Sequence, residues 1–241
     1  MKKIMLFNIF VVLLLALASV NVRAVSLAGL VDQNGSFIDS GLIFSGWTVN
    51  QIASDNAFLV DSANVQVSGV TTSSGARLSF SVLNNGMSVV GDGGYGYLDY
   101  SVSFWVTVLN PSHTIFAMTS DLITFTSSDV IYSGVAIQTT AIDYLGSSVV
   151  ATAVGINYLN TVVSSSLNDY VLFSPQPDLF VTENIFLWAS SLGQNVILDS
   201  FDNQFSIDQK PVPVAEPFVL LFLGLFILGI ALVKPGAYFS R

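Results

Sequence analysis

Cysteine is absent from the 241-residue chain, and this absence excludes several kinds of chemistry at once. Without thiols the protein has no disulfides, no cysteine nucleophile and no thiolate ligands for zinc or iron–sulfur clusters. Small exported domains often depend on disulfides, but a body of about 186 residues can bury an adequate core without them.

Basic residues are almost as scarce as cysteine. When residues 1–24 and everything from Pro211 onward are set aside, the remaining body has Arg77 and Lys210 as its only cations. It has 15 acidic residues, 14 of them Asp and one Glu183, so two cations leave a net charge of −13. Nucleic-acid binding is excluded, because phosphate neutralisation needs clustered Lys and Arg. A charge of this size favours solubility, repels anionic surfaces and allows divalent cations to bridge carboxylates.

Few residues are suited to catalysis. His113 is the only histidine, it lies beside a turn at Asn110-Pro111, and no G-x-S-x-G motif accompanies it, so it is interpreted as a surface residue. Glycoside hydrolysis needs two carboxyl groups about 5–10 Å apart, and the scattered Asp residues with a single Glu indicate no such pair. A secreted hydrolase is therefore the least favoured of three hypotheses, and we expect no enzymatic activity.

Alternation of apolar and polar residues with a period of two is the main pattern in the body. In YLDYSVSFWVTVLN it places six residues on one face: Leu98, Tyr100, Val102, Phe104, Val106 and Val108. Similar runs recur between turn signals such as Asn84-Asn85-Gly86, at intervals of roughly 8–12 residues. The pattern predicts an all-β domain over residues 25–208, an antiparallel β-sandwich of the jelly-roll kind. One exception is SSSLNDYVLF, for which a short helix capped by Ser166 is predicted.

Two features of the body suggest binding. Trp105 falls on the otherwise polar face of its strand, where an exposed indole is suited to stacking on a sugar, although a second sheet or a covering loop would bury it equally well. Trp47 and Trp188 are further aromatic candidates. In VVGDGGYGYLDY, Asp92 and Asp99 with intervening glycines offer oxygen ligands for Ca²⁺, but a Gly-rich hairpin with a solvated Asp at its tip is the favoured interpretation. We expect no other cofactor or metal.

The two ends of the chain predict export and membrane attachment. Residues 1–24 have a basic start, an apolar centre and small residues before Ala24, a pattern typical of a signal peptide cleaved after Ala24. Residues 218–233 are all apolar or glycine and would span about 24 Å as a helix, short of a bilayer core of about 30 Å. Lys234 and Arg241, in the tail 234–241, follow this predicted transmembrane helix, so the body is expected outside the cytoplasm.

The spacer 209–217 carries a motif that makes the chain resemble the PEP-CTERM proteins. Their Val-Pro-Glu-Pro motif aligns with Val214, Ala215, Glu216 and Pro217, with Ala215 in place of the first proline. The segments GSFIDSGLIFSGW and LFVTENIFLWASSLGQNVILDSFDNQFS are also similar to early and late parts of that family. The resemblance implies sorting by exosortase, a membrane-embedded processing enzyme, with cutting near the motif and an association with exopolysaccharide and biofilm.

Two functional hypotheses lead from these observations. The first is a non-enzymatic envelope or extracellular-matrix protein, membrane-tethered, processed by exosortase and released to the cell surface or matrix. The alternative is a surface carbohydrate-binding adhesin module anchored by its C-terminal helix.

Overall fold

The computed structural model describes residues 24–209, apart from 55–56, 58, 92, 129–131, 144 and 159–160. This part has one α-helix, α1 (Leu27–Asp32), and one 3₁₀ turn (Ser62–Asn64). Its strands are β1 (Val25–Ser26), β2 (Phe37–Asp39), β3 (Leu42–Ala53), β4 (Val65–Thr72), β5 (Gly75–Val82), β6 (Ser88–Val90), β7 (Gly96–Val108), β8 (His113–Ser127), β9 (Tyr132–Ile142), β10 (Ser148–Tyr158), β11 (Thr161–Ser166), β12 (Asn168–Gln176), β13 (Asp178–Ala189) and β14 (Asn195–Gln209).

The strands form two sheets of seven strands each within the described residues. Sheet A has the order β1-β4-β5-β14-β8-β12, with β6 paired to β14, and sheet B has the order β11-β10-β9-β13-β7-β3-β2. Pairs such as β13 with β7 and β4 with β5 are antiparallel. The predicted all-β fold of two antiparallel sheets is therefore confirmed.

The core lies between the two sheets and follows from the alternation along each strand. In β7, all six residues predicted to face inward are buried, while Asp99 and Trp105 between them are exposed. Phe205 from sheet A packs against Phe104 and Phe44 from sheet B, with ring centroids 6.3 and 5.9 Å apart. Because successive side chains of a strand point to opposite sides, each sheet keeps a second, outward face for solvent or ligand.

Helix α1 is an element that the sequence pattern did not predict. The Ser26 hydroxyl accepts a hydrogen bond from the Gly29 N–H at 3.2 Å and caps its first turn. Leu27 and Leu30 are buried in the shared core, so this short helix packs against the sandwich. Six residues are too few to display a period of 3.6, which explains why the helix left no recognisable pattern.

The helix predicted in SSSLNDYVLF is wrong. The stretch is divided between β11 and β12, and β12 pairs with β8 through contacts such as Tyr170 opposite Thr119. Exposed Tyr170 and Leu172 alternate with the partly buried Val171 and Phe173 that pack on the core. Pairing with β8 therefore overrides the capping tendency of serine.

Several predicted segments lie outside the described residues. These are the signal peptide up to residue 23, the sorting motif at 214–217, the predicted transmembrane helix at 218–233 and the tail with Lys234 and Arg241. Ala24, the residue before the predicted cleavage point, is described and exposed. In the part of the chain that is described, no helix has the length and apolar character needed to cross a membrane.

Candidate functional site

Trp105 lies on the outer face of sheet B with 42% of its surface exposed. Its position follows from the strict alternation in β7, since the neighbouring Phe104 and Val106 are fully buried. The predicted outward orientation of Trp105 is therefore what the structure shows. By contrast, Trp47 is buried in the core and stacks on Phe104 at 4.5 Å, so it is not available to a ligand.

A bulge in β3 shapes the surface under the Trp105 ring. The pairing of β3 with β7 shifts register between Ser45 and Thr48, and Gly46 within the bulge has a φ of +66°. A Cβ atom on Gly46 would lie 3.0 Å from Cδ1 of Trp105, so the indole rests over a position where only glycine fits without adjustment. On its other side, Phe180 of β13 lies 5.2 Å away between ring centroids. Glycine and phenylalanine together hold the indole in place on the sheet.

Next to this aromatic pair, the outer face of sheet B carries a band of short, neutral polar side chains. Its members come in cross-strand rows from four neighbouring strands: Thr48 and Asn50 on β3, Ser101 and Ser103 on β7, Thr182 and Asn184 on β13, and Gln138 and Thr140 on β9. The hydroxyls of Ser103 and Thr182 are hydrogen-bonded at 2.9 Å. We call these eight residues the polar band; they present hydroxyl and amide groups that can both donate and accept hydrogen bonds.

A second aromatic cluster lies at the other end of the polar band. Phe186 is 6.1 Å from Tyr97 and 5.8 Å from Trp188, and both pairs are stacked. Trp188 is only 6% exposed and its ring lies over Gly134 of β9, where a Cβ would approach it to 2.7 Å. Tyr97 and Phe186 are half-buried. Tyr97 and Phe186 are therefore the partly accessible rings of this cluster, and Trp188 is buried against Phe186.

Glu183, the one glutamate of the body, faces inward from the centre of sheet B and is fully buried. Its Oε2 accepts a hydrogen bond from the Thr139 hydroxyl at 2.7 Å, and the Asn203 amide of sheet A donates to the same hydroxyl at 2.9 Å. Burial raises the pKa of Glu183 to about 7, with hydrogen bonds from Thr139 and Asn203 partly offsetting the shift. Glu183, Thr139 and Asn203 are all fully buried, so this arrangement is part of the core.

The outer face of sheet A differs in carrying charge. Arg77 on β5 pairs with Asp202 on β14 at 3.5 Å, and Asp121 on β8 lies in the same electrostatic environment. Burial raises the pKa of both Asp202 and Asp121, while the nearby Arg77 lowers it for each. The negative charge of Asp202 also raises the pKa of Asp121, so these two carboxylates and Arg77 form one group of interacting charges.

A cavity of about 300 Å³ opens between the β9–β10 turn and the β12–β13 connection. Its walls are half apolar and half polar, and Asp143 is the ionisable group that lines it, beside Ser147, Ser174 and Gln176. The Asp143 carboxylate accepts hydrogen bonds from the N–H groups of Leu145 and Ser147, each at 2.9 Å, and therefore stabilises its own turn. Its second oxygen accepts a hydrogen bond from the Gln176 amide at 3.4 Å, so the protein itself engages this carboxylate.

The predicted calcium ligands are only partly described. Asp99 is exposed on the outer face of β7, opposite Phe186, while Asp92 lies outside the described residues. Among the residues that are described, no group of three or more His, Asp or Glu side chains is placed to hold a metal ion. The calcium site at Asp92 and Asp99 stays a prediction.

No family model matches the chain, and no curated protein matches it. Several solved structures match the chain at low TM-score, and three of them are described here. TmCBM61, solved in complex with β-1,4-galactotriose, is 11% identical, with 68% of this chain and 88% of that chain covered and a TM-score of 0.29. The CBM22-1 xylan-binding domain from Paenibacillus barcinonensis Xyn10C is 12% identical, with 67% of this chain and 86% of that chain covered and a TM-score of 0.23. The enzymatically active domain of bacteriophage CBA120 tailspike protein 4 is 14% identical, with 65% of this chain and 19% of that chain covered and a TM-score of 0.24. Likenesses this distant say nothing about the ligand of this chain.

Proposed function

We propose that the β domain is a non-enzymatic surface module that binds carbohydrate on the outer face of sheet B. The observation that carries this proposal is Trp105, an exposed indole held on the outer face of sheet B between Gly46 and Phe180. An aromatic ring offers a large, rigid apolar surface at low entropic cost, which suits the C–H face of a sugar. The adjacent polar band supplies hydrogen bonds for the hydroxyls at the edge of the same sugar.

The charge of the body supports an uncharged or basic ligand rather than an acidic one. A body with 15 acidic and two basic residues repels anionic polymers at long range. A sugar without acidic groups approaches the polar band without this cost. Carbohydrate binding therefore agrees with both the local surface and the overall electrostatics.

The test is binding of the purified protein to a glycan array, followed by titration of the best neutral ligand. We expect Trp105→Ala to weaken binding by about tenfold or more, because loss of a central aromatic anchor commonly costs upward of about 1.4 kcal/mol. The matched control is Tyr170→Ala, which removes an aromatic side chain that is 53% exposed on the outer face of sheet A. This control should bind as the wild type does.

Two results would contradict the proposal. One is an array on which the wild-type protein binds no glycan, or on which Trp105→Ala binds unchanged. The other is turnover of any polysaccharide by the wild-type protein, which would overturn the non-enzymatic part.

The route by which the module reaches the cell surface is proposed from the sequence of its tail. The motif at Val214 to Pro217, followed by an apolar run and by Lys234 and Arg241, supports export, membrane attachment and sorting by an exosortase-type enzyme. The intact mass of the protein taken from the envelope is expected to lack residues 1–24 and the segment after the motif. An unchanged mass and location in a host without exosortase would contradict the sorting proposal, and would leave carbohydrate binding untouched.

A further inference from the structure

Two aromatic clusters lie at opposite ends of the same outer face of sheet B. Phe180, with Trp105 beside it, and Phe186, with Tyr97 beside it, are six residues apart on β13. At a rise of about 3.3 Å per residue this separation is roughly 20 Å along the strand. Each cluster pairs a residue of β7 with one of β13, so both clusters lie over the same two central strands. A ligand touching both clusters must therefore run along the strands.

The polar band fills the space between the clusters and contains no ionisable group. Its central rows, Ser101 opposite Asn184 and Ser103 opposite Thr182, are half-buried, while Thr48, Asn50 and Gln138 at its sides are exposed. All eight side chains are short or of moderate length, and none is larger than glutamine. Hydroxyls and amides of this kind match the donors and acceptors of a hydroxylated chain.

The carboxyl groups of sheet B are kept out of this band. Glu183 is in the core, and the exposed Asp99 lies at the row of Phe186, at the end of the band. Asp178 begins β13 beyond Phe180, at the opposite end. Charge is therefore excluded from the centre of the face and is negative at both ends, which opposes an acidic polymer.

We infer that the polar band and its two aromatic clusters form one extended site for a single chain of an uncharged polysaccharide lying along the strands of sheet B. This inference rests on the proposed carbohydrate binding and adds the length, direction and charge class of the ligand. Trp105 with Phe180 anchors one end, and Tyr97 with Phe186 anchors the other. Because both anchors contact the same ligand chain, binding at the first anchor raises the effective concentration of sugar at the second.

The experiment is calorimetric titration of the full-length protein with neutral homo-oligosaccharides of glucose, galactose, mannose and xylose, each from disaccharide to hexasaccharide. Affinity for the recognised sugar should rise with chain length until both anchors are reached, by about tenfold or more in total, and then level off. Oligogalacturonides of the same lengths serve as the acidic comparison and should bind more weakly than the neutral chains.

Variants separate this inference from the proposed function. Tyr97→Ala and Phe186→Ala should remove the gain from chain length, whereas Trp105→Ala should weaken the binding of short and long oligosaccharides alike. If removal of an aromatic ring unfolds the sheet, as a thermal melt would show, Asn184→Asp is the second variant. It keeps the shape of the side chain, replaces an amide donor by a carboxylate at the centre of the band, and should weaken binding of long chains by several fold.

Each result decides between the two claims. No binding by any neutral chain defeats the proposed function and this inference together. Binding that does not depend on length, on Tyr97 and Phe186, or on Asn184 overturns the inference alone. Tighter binding of oligogalacturonides overturns it as well, and so does a dimer in sedimentation that Trp105→Ala dissociates, because a second copy would then cover the face.

Discussion

The two sheets differ in the direction of the ionisable side chain near their centre: in sheet A it lies on the outer face, and in sheet B it points into the core. Sheet A keeps Asp202 on its outer face, paired with Arg77 at 3.5 Å, whereas sheet B turns Glu183 inward and leaves the centre of its outer face neutral. Arg77 is the one Lys or Arg among the residues that the structure describes, so it can neutralise carboxylates on one sheet only. The comparison shows that a body with so few cations has one outer face with charged side chains and another whose centre is neutral and polar.

The cost of this separation falls on the core, where Glu183 has no cation to pair with. Its Oε1 and the Oδ1 of Asn203 are both buried, and among the described residues neither has a donor. A protonated carboxyl supplies one donor, which is consistent with the pKa of Glu183 being raised to about 7 by burial. The neutral outer face of sheet B is thus accompanied by a titratable group beneath it.

The largest expected effect comes from Glu183→Gln, which removes this titratable group. The folded protein binds the Glu183 proton more tightly than the unfolded chain, whose pKa is near 4.5. The wild type therefore loses stability as pH rises from about 4.5 to about 7, by roughly 3 kcal/mol in total. Gln cannot ionise and brings its own donor, so Glu183→Gln should be more stable than the wild type by up to about 3 kcal/mol at pH 8. Near pH 4 the two should be almost equal.

Urea unfolding at pH 4 and pH 8, followed by tryptophan fluorescence, measures this difference. Asp99→Asn is the matched control, because it removes a carboxylate from the exposed face of the same sheet. Because this variant keeps Glu183, its loss of stability between pH 4 and pH 8 should persist. Equal pH dependence in wild type and Glu183→Gln would show that the buried carboxyl is not the titrating group, and the contrast between the sheets would lose its energetic basis.

The fold was predictable from period-two alternation wherever one strand gave a complete signal. The alternation in β7 sufficed to assign its six inward residues and the outward Trp105. The same alternation in β13 places Glu183 with Val181 and Ile185 on the buried face. The burial of Glu183 was therefore predictable from the sequence of that strand. The sequence thus contained more about the core than composition alone suggests.

The candidate site could not be assembled from the sequence, because its members are distant in the chain. Trp105 meets Phe180 only through the pairing of β7 with β13, and meets Gly46 only through the bulge in β3. Register and bulges depend on the packing of whole strands rather than on local residue preferences. The second cluster at Tyr97 and Phe186 was missed for the same reason.

A smaller effect is expected from Arg77→Met, which tests the charged side of the comparison. The substitution keeps an apolar stem but removes the cation that lowers the pKa of Asp202 and Asp121. At pH 7 it should destabilise the protein by about 1 kcal/mol, since the Arg77 side chain is 40% exposed and solvent screens part of the interaction. Below pH 3 the carboxyl groups are protonated in both variants, so the difference should shrink.

Thr182→Val is the matched control on the outer face of sheet B. It breaks the hydrogen bond between the Thr182 and Ser103 hydroxyls without altering charge. Its cost should be about 0.5–1 kcal/mol and the same at both pH values, as expected of an uncharged, partly solvated hydrogen bond. Urea unfolding of the two variants at pH 7 and pH 3 therefore separates a pH-dependent contribution in sheet A from a pH-independent one in sheet B. If Arg77→Met showed no pH dependence, or Thr182→Val showed a marked one, the two outer faces would not differ in the way their charges indicate.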